Sequence, residues 1–281
     1  MKYPSLNIGY SNFLEFRQEN SFYVDKTDFI EELTTNLNKV SLITRPRRFG
    51  KTLTLSTIKE FFEIGKDSHD IFSELKISKN KDICDAWMNK YPVISISLKS
   101  INKRSFELSL LNFSEIINEI IDEHHYLLES TKLTTTLRRQ LASFTEIDSN
   151  KSYEYEGQLS NALKILTRAF SQHWSLPVIL LIDEYDVPLS SSYEHSYYNK
   201  MTDFMRGLLG EVLKDNKYLR FAVLTGCLRI TKENIFTGLN NFVSYGITNN
   251  IFSDKFGFTE NEVQNILLEY DLLDKKDEIK E

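Results

Sequence analysis

Residues 177–183 read PVILLID, an unbroken apolar run closed by a carboxylate, and a second carboxylate, Glu184, follows at once. A strand with one wet face alternates polar and apolar residues. A strand apolar at every position is covered on both faces, the condition of a parallel strand between two layers of helices. The rest of the chain fits such a sheet. VSLIT at 40–44 is short, apolar and β-branched, PVISISL at 92–98 alternates and opens at a proline, and YLRFAVLTG at 218–226 is another buried strand. Helical spacing fills the intervals at 53–64, 104–127, 131–144, 157–173 and 195–214. A last helix at 258–270 opens with a capping box, Thr259 to Glu262. The pattern predicts an α/β fold with a mainly parallel sheet.

The composition narrows the function. A chain of 281 residues makes one large domain or two small ones, and 41% hydrophobic with 26% charged residues is globular. The formal net charge of −6 gives no global basic field toward nucleic acid, though a local basic patch stays open. Lys132, Arg138 and Arg139 are too few to make one. Cys84 and Cys227 lack metal-ligand spacing, so a reduced, cytoplasmic protein is expected. The N-terminus MKYPSLNIGYSNF has no signal-peptide core, and no apolar run is long enough to span a bilayer. Adjacent His124 and His125 point to different sides of a helix and read as a surface pair rather than a metal site. The end, DLLDKKDEIKE, reads as a solvated helix or tail.

LITRPRRFGKTLTLS, residues 42–56, ends like a phosphate-binding loop of the form G-x-x-x-x-G-K-S/T. Gly50, Lys51 and Thr52 supply its second half, and Arg45 stands where the first glycine belongs. The context is right, because a strand precedes the loop and a helix follows. Backbone N–H groups of Arg47, Arg48, Phe49 and Leu53, after the turn at Pro46, would cradle phosphates at the positive end of that helix. Gly50 permits close approach, Lys51 reaches the terminal phosphates, and the Thr52 hydroxyl meets Mg²⁺. Arg45-Pro46 turns the chain in another way, since proline fixes its own φ and extends the residue before it. The expected place of the Arg45 guanidinium is near the triphosphate.

Asp183 sits where a Walker B aspartate holds Mg²⁺, and Glu184 is placed to polarise a water. Two adjacent carboxylates at the end of a buried strand are costly unless used. ATPases with such a glutamate insert a strand between the loop strand and the Walker B strand, often ending in a polar sensor. YLRFAVLTG supplies the strand and Thr225 the polar end, its hydroxyl expected to hold the water beside Glu184 or else to cap the strand. Arg229 and Lys232 follow and face either the γ-phosphate or solvent.

Together FYVDKTDFIEEL (22–33), LITRPRRFGKTLTLS, VILLIDEYDVPL (178–189), LTGCLRITKENIFTGLNNF (224–242) and FGFTENEV (256–263) resemble the bacterial AAA-ATPase-like family, over residues 4–270. The resemblance implies a P-loop NTPase three-layer αβα fold, with ATP and Mg²⁺ as cofactors. It implies base or ribose contacts from Tyr23, Asp25 and Lys26, whose other reading is the cap of a helix starting near Thr27. RPRRFGKT is the family's own form of the loop. Members commonly carry a C-terminal PD-(D/E)XK nuclease-like domain, and no strand-borne pattern of that kind follows Asp183. The chain is expected to be a truncated version with only the start of a helical lid, or to have its partner domain encoded elsewhere.

The expected organisation is a P-loop domain over 1–258 with a helical insertion near 103–173, then the start of a lid or linker over 259–281. The expected function is ATP hydrolysis with Mg²⁺ driving a conformational switch, with Lys51, Glu184 and Thr225 catalytic and Thr52 and Asp183 on the metal. The alternative is a non-hydrolysing scaffold that senses ATP and presents its helices to a protein partner.

Overall fold

The computed structural model describes residues 9–19, 21–36, 38–147, 154–228, 235, 236, 239, 241–276 and 278. Five parallel strands form one sheet: β1 Val40–Thr44, β2 Val93–Ser97, β3 Val178–Asp183, β4 Leu219–Gly226 and β5 Phe242–Tyr245. Their order is β2-β3-β4-β1-β5. β1 and β3 are therefore separated by β4, as the glutamate beside the aspartate predicts. β5 escapes the sequence patterns. Four residues are too few to establish a period, and Val243 faces solvent at the edge of the sheet.

The helices are α1 Phe13–Gln18, α2 Asp28–Thr35, α3 Lys51–Phe62, α4 His69–Phe72, α5 Lys81–Trp87, α6 Phe106–Glu123, α7 Tyr126–Glu129, α8 Thr135–Thr145, α9 Glu156–Leu159, α10 Ala162–Trp174, α11 Val187–Glu194, α12 Tyr198–Leu213 and α13 Glu260–Glu269. The stretch 104–127 breaks into α6 and α7, where the His124 N–H turns back to the Ile121 carbonyl. The stretch 131–144 starts late because Thr134 caps it, its hydroxyl accepting the Leu137 N–H at 3.3 Å. The Thr259–Glu262 capping box of α13 is present in both directions.

Strand alternation divides the core into two. Val178, Leu180 and Ile182 of β3 face one cluster together with Val40, Leu42, Ala222 and Leu224, beneath α6 to α12. Ile179 and Leu181 face the other with Ile43, Phe221, Val223 and Tyr245, beneath α1 to α4. This is a three-layer αβα arrangement. Each fully buried Leu, Ile or Phe contributes about 1.5–3 kcal/mol, so the faces fix the register of every strand. No helix among the described residues is long and apolar enough to cross a membrane.

Candidate functional site

The carboxyl ends of β1, β3 and β4 meet at one edge. β1 stops at Thr44, and the Arg45 N–H still bonds the Gly226 carbonyl at 3.1 Å. The chain then turns through Pro46–Gly50, with Arg48 (φ 67) and Gly50 (φ 76) left-handed. The turn is thus made late in the loop, and a first glycine is not needed at Arg45. α3 starts at Lys51, and its first turn directs unpaired N–H groups outward at the positive end of the helix. Lys51 is buried, and its ammonium donates to the carbonyls of Arg45 (3.1 Å) and Pro46 (2.9 Å), with Cys227 Sγ at 3.4 Å. Pro46, Arg47 and Arg48 are exposed.

Asp183 ends β3 and is 5% exposed. Its Oδ2 accepts the Thr52 hydroxyl at 2.6 Å, so the two half-motifs meet across the sheet. Its Oδ1 accepts the Thr225 hydroxyl and, at 3.0 Å, the Glu184 N–H.

A family description reading "Predicted AAA-ATPase" matches residues 7–236, which contain all of these groups. The chain belongs to the AAA-ATPase-like family. Membership carries nucleotide binding on a P-loop. An Azotobacter chroococcum mcd 1 protein described as "Uncharacterized protein in vnfD 5'region" is 27% identical over 268 residues, covering 95% of this chain and 45% of that protein. The chain thus spans less than half the length of that relative. No solved structure matches it.

In this AAA-ATPase-like site, Glu184 leaves the strand with φ 53, a strained conformation for a glutamate. Burial and the neighbouring Asp183 raise its pKa, while Lys99 and Lys51 pull it down. Lys99 was not singled out in the sequence. It lies two residues beyond β2, whose Ser97 pairs with Asp183, and only strand order brings it near.

Thr225, expected to hold the water beside Glu184 or to cap the strand, bonds Asp183. Its hydroxyl is spent on Asp183, because the pairing of Ile182 with Leu224 sets Thr225 level with that aspartate. Asp186, in the turn after β3, is 4% exposed and accepts the N–H groups of Cys227 (3.0 Å) and Leu228 (2.8 Å). It fixes the exit of β4 against the turn after β3. A Cβ on Gly226 would stand 2.5 Å from Asp186 Oδ1 and 2.5 Å from Tyr185, so the two segments touch because that residue is glycine. Arg229 and Lys232 lie outside the described residues.

Arg45 also departs from expectation. It is 2% exposed, and its guanidinium faces away from the loop surface. Nη1 donates to the carbonyls of Thr44 and Tyr245, both at 2.9 Å, and Nη2 to that of Phe252 at 2.8 Å. Three carbonyl dipoles hold the charge in place, and burial lowers its pKa.

Tyr23 and Lys26 line a narrow hollow with Thr54, Thr57 and Ile58 of α3. Burial, then Asp25, pushes the Tyr23 hydroxyl pKa up. Asp25 serves the helix start: Oδ1 accepts the Thr27 N–H (2.8 Å) and hydroxyl (2.6 Å), and Oδ2 the Lys76 N–H (2.6 Å). Lys26 pairs with Glu262 at 2.7 Å. Leu53 is half-buried beside Thr52.

Proposed function

We propose that the protein binds ATP with Mg²⁺ at the carboxyl edge of the sheet and hydrolyses it to drive a conformational switch. One observation carries the reading: the Thr52 hydroxyl lies 2.6 Å from Asp183 Oδ2, joining two motifs from different strands. An oxygen pair of this kind suits Mg²⁺, which takes hard oxygen ligands. When bound, the ion neutralises charge on the phosphate oxygens.

The remaining work falls to the chain. Lys51 exchanges two loop carbonyls for phosphate oxygens, and Arg47 and Arg48 add cations at the exposed side of the loop. N–H groups at the start of α3 orient the phosphates. Glu184 accepts a proton from the attacking water, and its raised pKa makes it a better base than an ordinary glutamate. Thr225 acts on Asp183, holding its carboxylate in one orientation. The adenine side of the site is the hollow beside Tyr23 and Lys26, with Asp25 holding the wall.

In this reading residues 1–258 form the ATPase domain, the helices near 103–173 present a surface to a protein partner or a separately encoded nuclease-like domain, and 259–281 begin a lid or linker. Single-turnover hydrolysis of labelled ATP by wild type beside Glu184→Gln tests it. Phosphate release by wild type and its loss in the variant are expected. If both bind ATP and neither releases phosphate, the protein is a non-hydrolysing nucleotide scaffold.

A further inference from the structure

The loop is held from behind at both of its ends by one stretch of chain, residues 245–257. At the base, Arg45 bonds the carbonyls of Tyr245 and Phe252, and its guanidinium carbon lies 5.2 Å from the centre of the Phe256 ring. At the apex, the Gly257 N–H donates to the Phe49 carbonyl at 3.1 Å. A Cβ on Gly257 would fall 2.8 Å from Phe49 Cδ1, and Gly257 has φ +70, so glycine is required there twice over.

The stretch is itself fixed to α2. Phe252 and Phe256 pack on Phe29. Lys255 is 8% exposed and bonds Asp28 at 2.7 Å and Glu32 at 3.2 Å, while Glu32 also accepts the Phe252 N–H at 3.2 Å. A buried guanidinium bonded to carbonyls is expensive as a source of charge. Arg47 and Arg48, by contrast, stand exposed on the loop. The planar fork instead holds Tyr245 from Nη1 and Phe252 from Nη2, two fixed directions that a lysine's single ammonium does not reproduce.

We propose that residues 245–257 form a clamp for the phosphate loop, and that Arg45 is the positioning residue that sets loop geometry through it. The ammonium of Lys51 rests on the carbonyl of Arg45, so a nucleotide that draws Lys51 away acts directly on the clamped residue. Loop and clamp are thereby coupled, and coupling runs equally in both directions. That part of the inference rests on the ATP-binding reading. The clamp itself does not.

Hydrogen exchange on wild type, Arg45→Lys and Gly257→Ala decides it, first without nucleotide and then with ATP and Mg²⁺ in a Glu184→Gln background. Without nucleotide, amides at 47–50 should exchange faster in both variants. With ATP, wild-type amides at 245–257 should gain protection, and both variants should bind ATP more weakly by roughly ten- to hundredfold, the scale of a hydrogen bond to a charged group. Gly257→Ala leaves Arg45 intact and keeps the test alive if Arg45→Lys fails to fold. Unchanged exchange at 47–50 in the nucleotide-free variants would overturn the clamp. ATP binding that protects 47–53 but leaves 245–257 as before would overturn the coupling. Wild type that binds no ATP would sink the ATPase reading, while the nucleotide-free exchange still scores the clamp.

Discussion

The two ends of the sheet are built for different things. At the amino end, a cavity of about 430 Å³ opens between the end of α3, the start of β2 and the ends of α6 and α10. Its wall is aromatic, with Tyr126, Phe170, His173 and Trp174, and its ions are already paired, Lys66 with Glu60 and Glu63 at 2.7 Å each. At the carboxyl end Lys51, Thr52, Asp183, Glu184 and the N-terminus of α3 converge. Size marks the first place and convergent polar groups mark the second. In an open parallel sheet, ligands bind outside the carboxyl ends of the strands, where loops and helix starts present their donors. There the Lys51 ammonium donates to the carbonyls of its own loop.

The contrast yields a graded set of expectations. The largest effect is Glu184→Gln, which should lower ATP turnover by about 10²–10⁴ while leaving ATP affinity nearly unchanged. Equal loss of binding would make the carboxylate structural. Next comes Lys51→Ala, which should weaken labelled-ATP binding by about 2–5 kcal/mol with the circular dichroism of wild type. Tight binding by that variant would remove the site from the carboxyl end.

Gly226→Ala acts through packing. Its Cβ meets Asp186 and Tyr185 at 2.5 Å, and the overpacking should cost about 1–3 kcal/mol, read as a lower Tm. A smaller effect concerns pH. Burial and Asp183 raise the Glu184 pKa, and a base works only when deprotonated. Turnover should therefore rise with pH through a limb placed above the ordinary carboxylate range. Lys99→Ala removes a cation that lowers that pKa, so the limb should move further up. A limb that moves down, or stays, would separate Lys99 from Glu184. The smallest effect belongs to the amino end: His173→Ala should keep ATP affinity within about twofold, since distant sites act independently. A larger loss would show that the two ends communicate.

Much of the fold was legible because its signals are local. The apolar run of β3 and the alternation of β2 gave strand positions to within a residue, and the capping box placed α13. The half-motif at Gly50–Thr52 announced a strand–loop–helix unit, and the Asp183-Glu184 pair implied a strand between. β5 was not legible, being four residues long and stabilised by its pairing with β1 rather than by its own pattern.

The amino-acid sequence settled which residues carry charge, which strands are covered on both faces, and where a loop must give way to a helix. Those properties repeat over two to four residues and need no distant partner. Whom each polar group bonds was settled by packing. Arg45 reads as one of four cations in a basic loop, but the fold buries it against carbonyls 200 and 207 positions away. Thr225 reads as a sensor, and strand order turns it onto Asp183. No local pattern singles out Lys99, and the pairing of β2 with β3 brings it toward Asp183. A hydrogen bond forms at contact distance, so its partner is fixed only when the sheet has closed and the strands have taken their order.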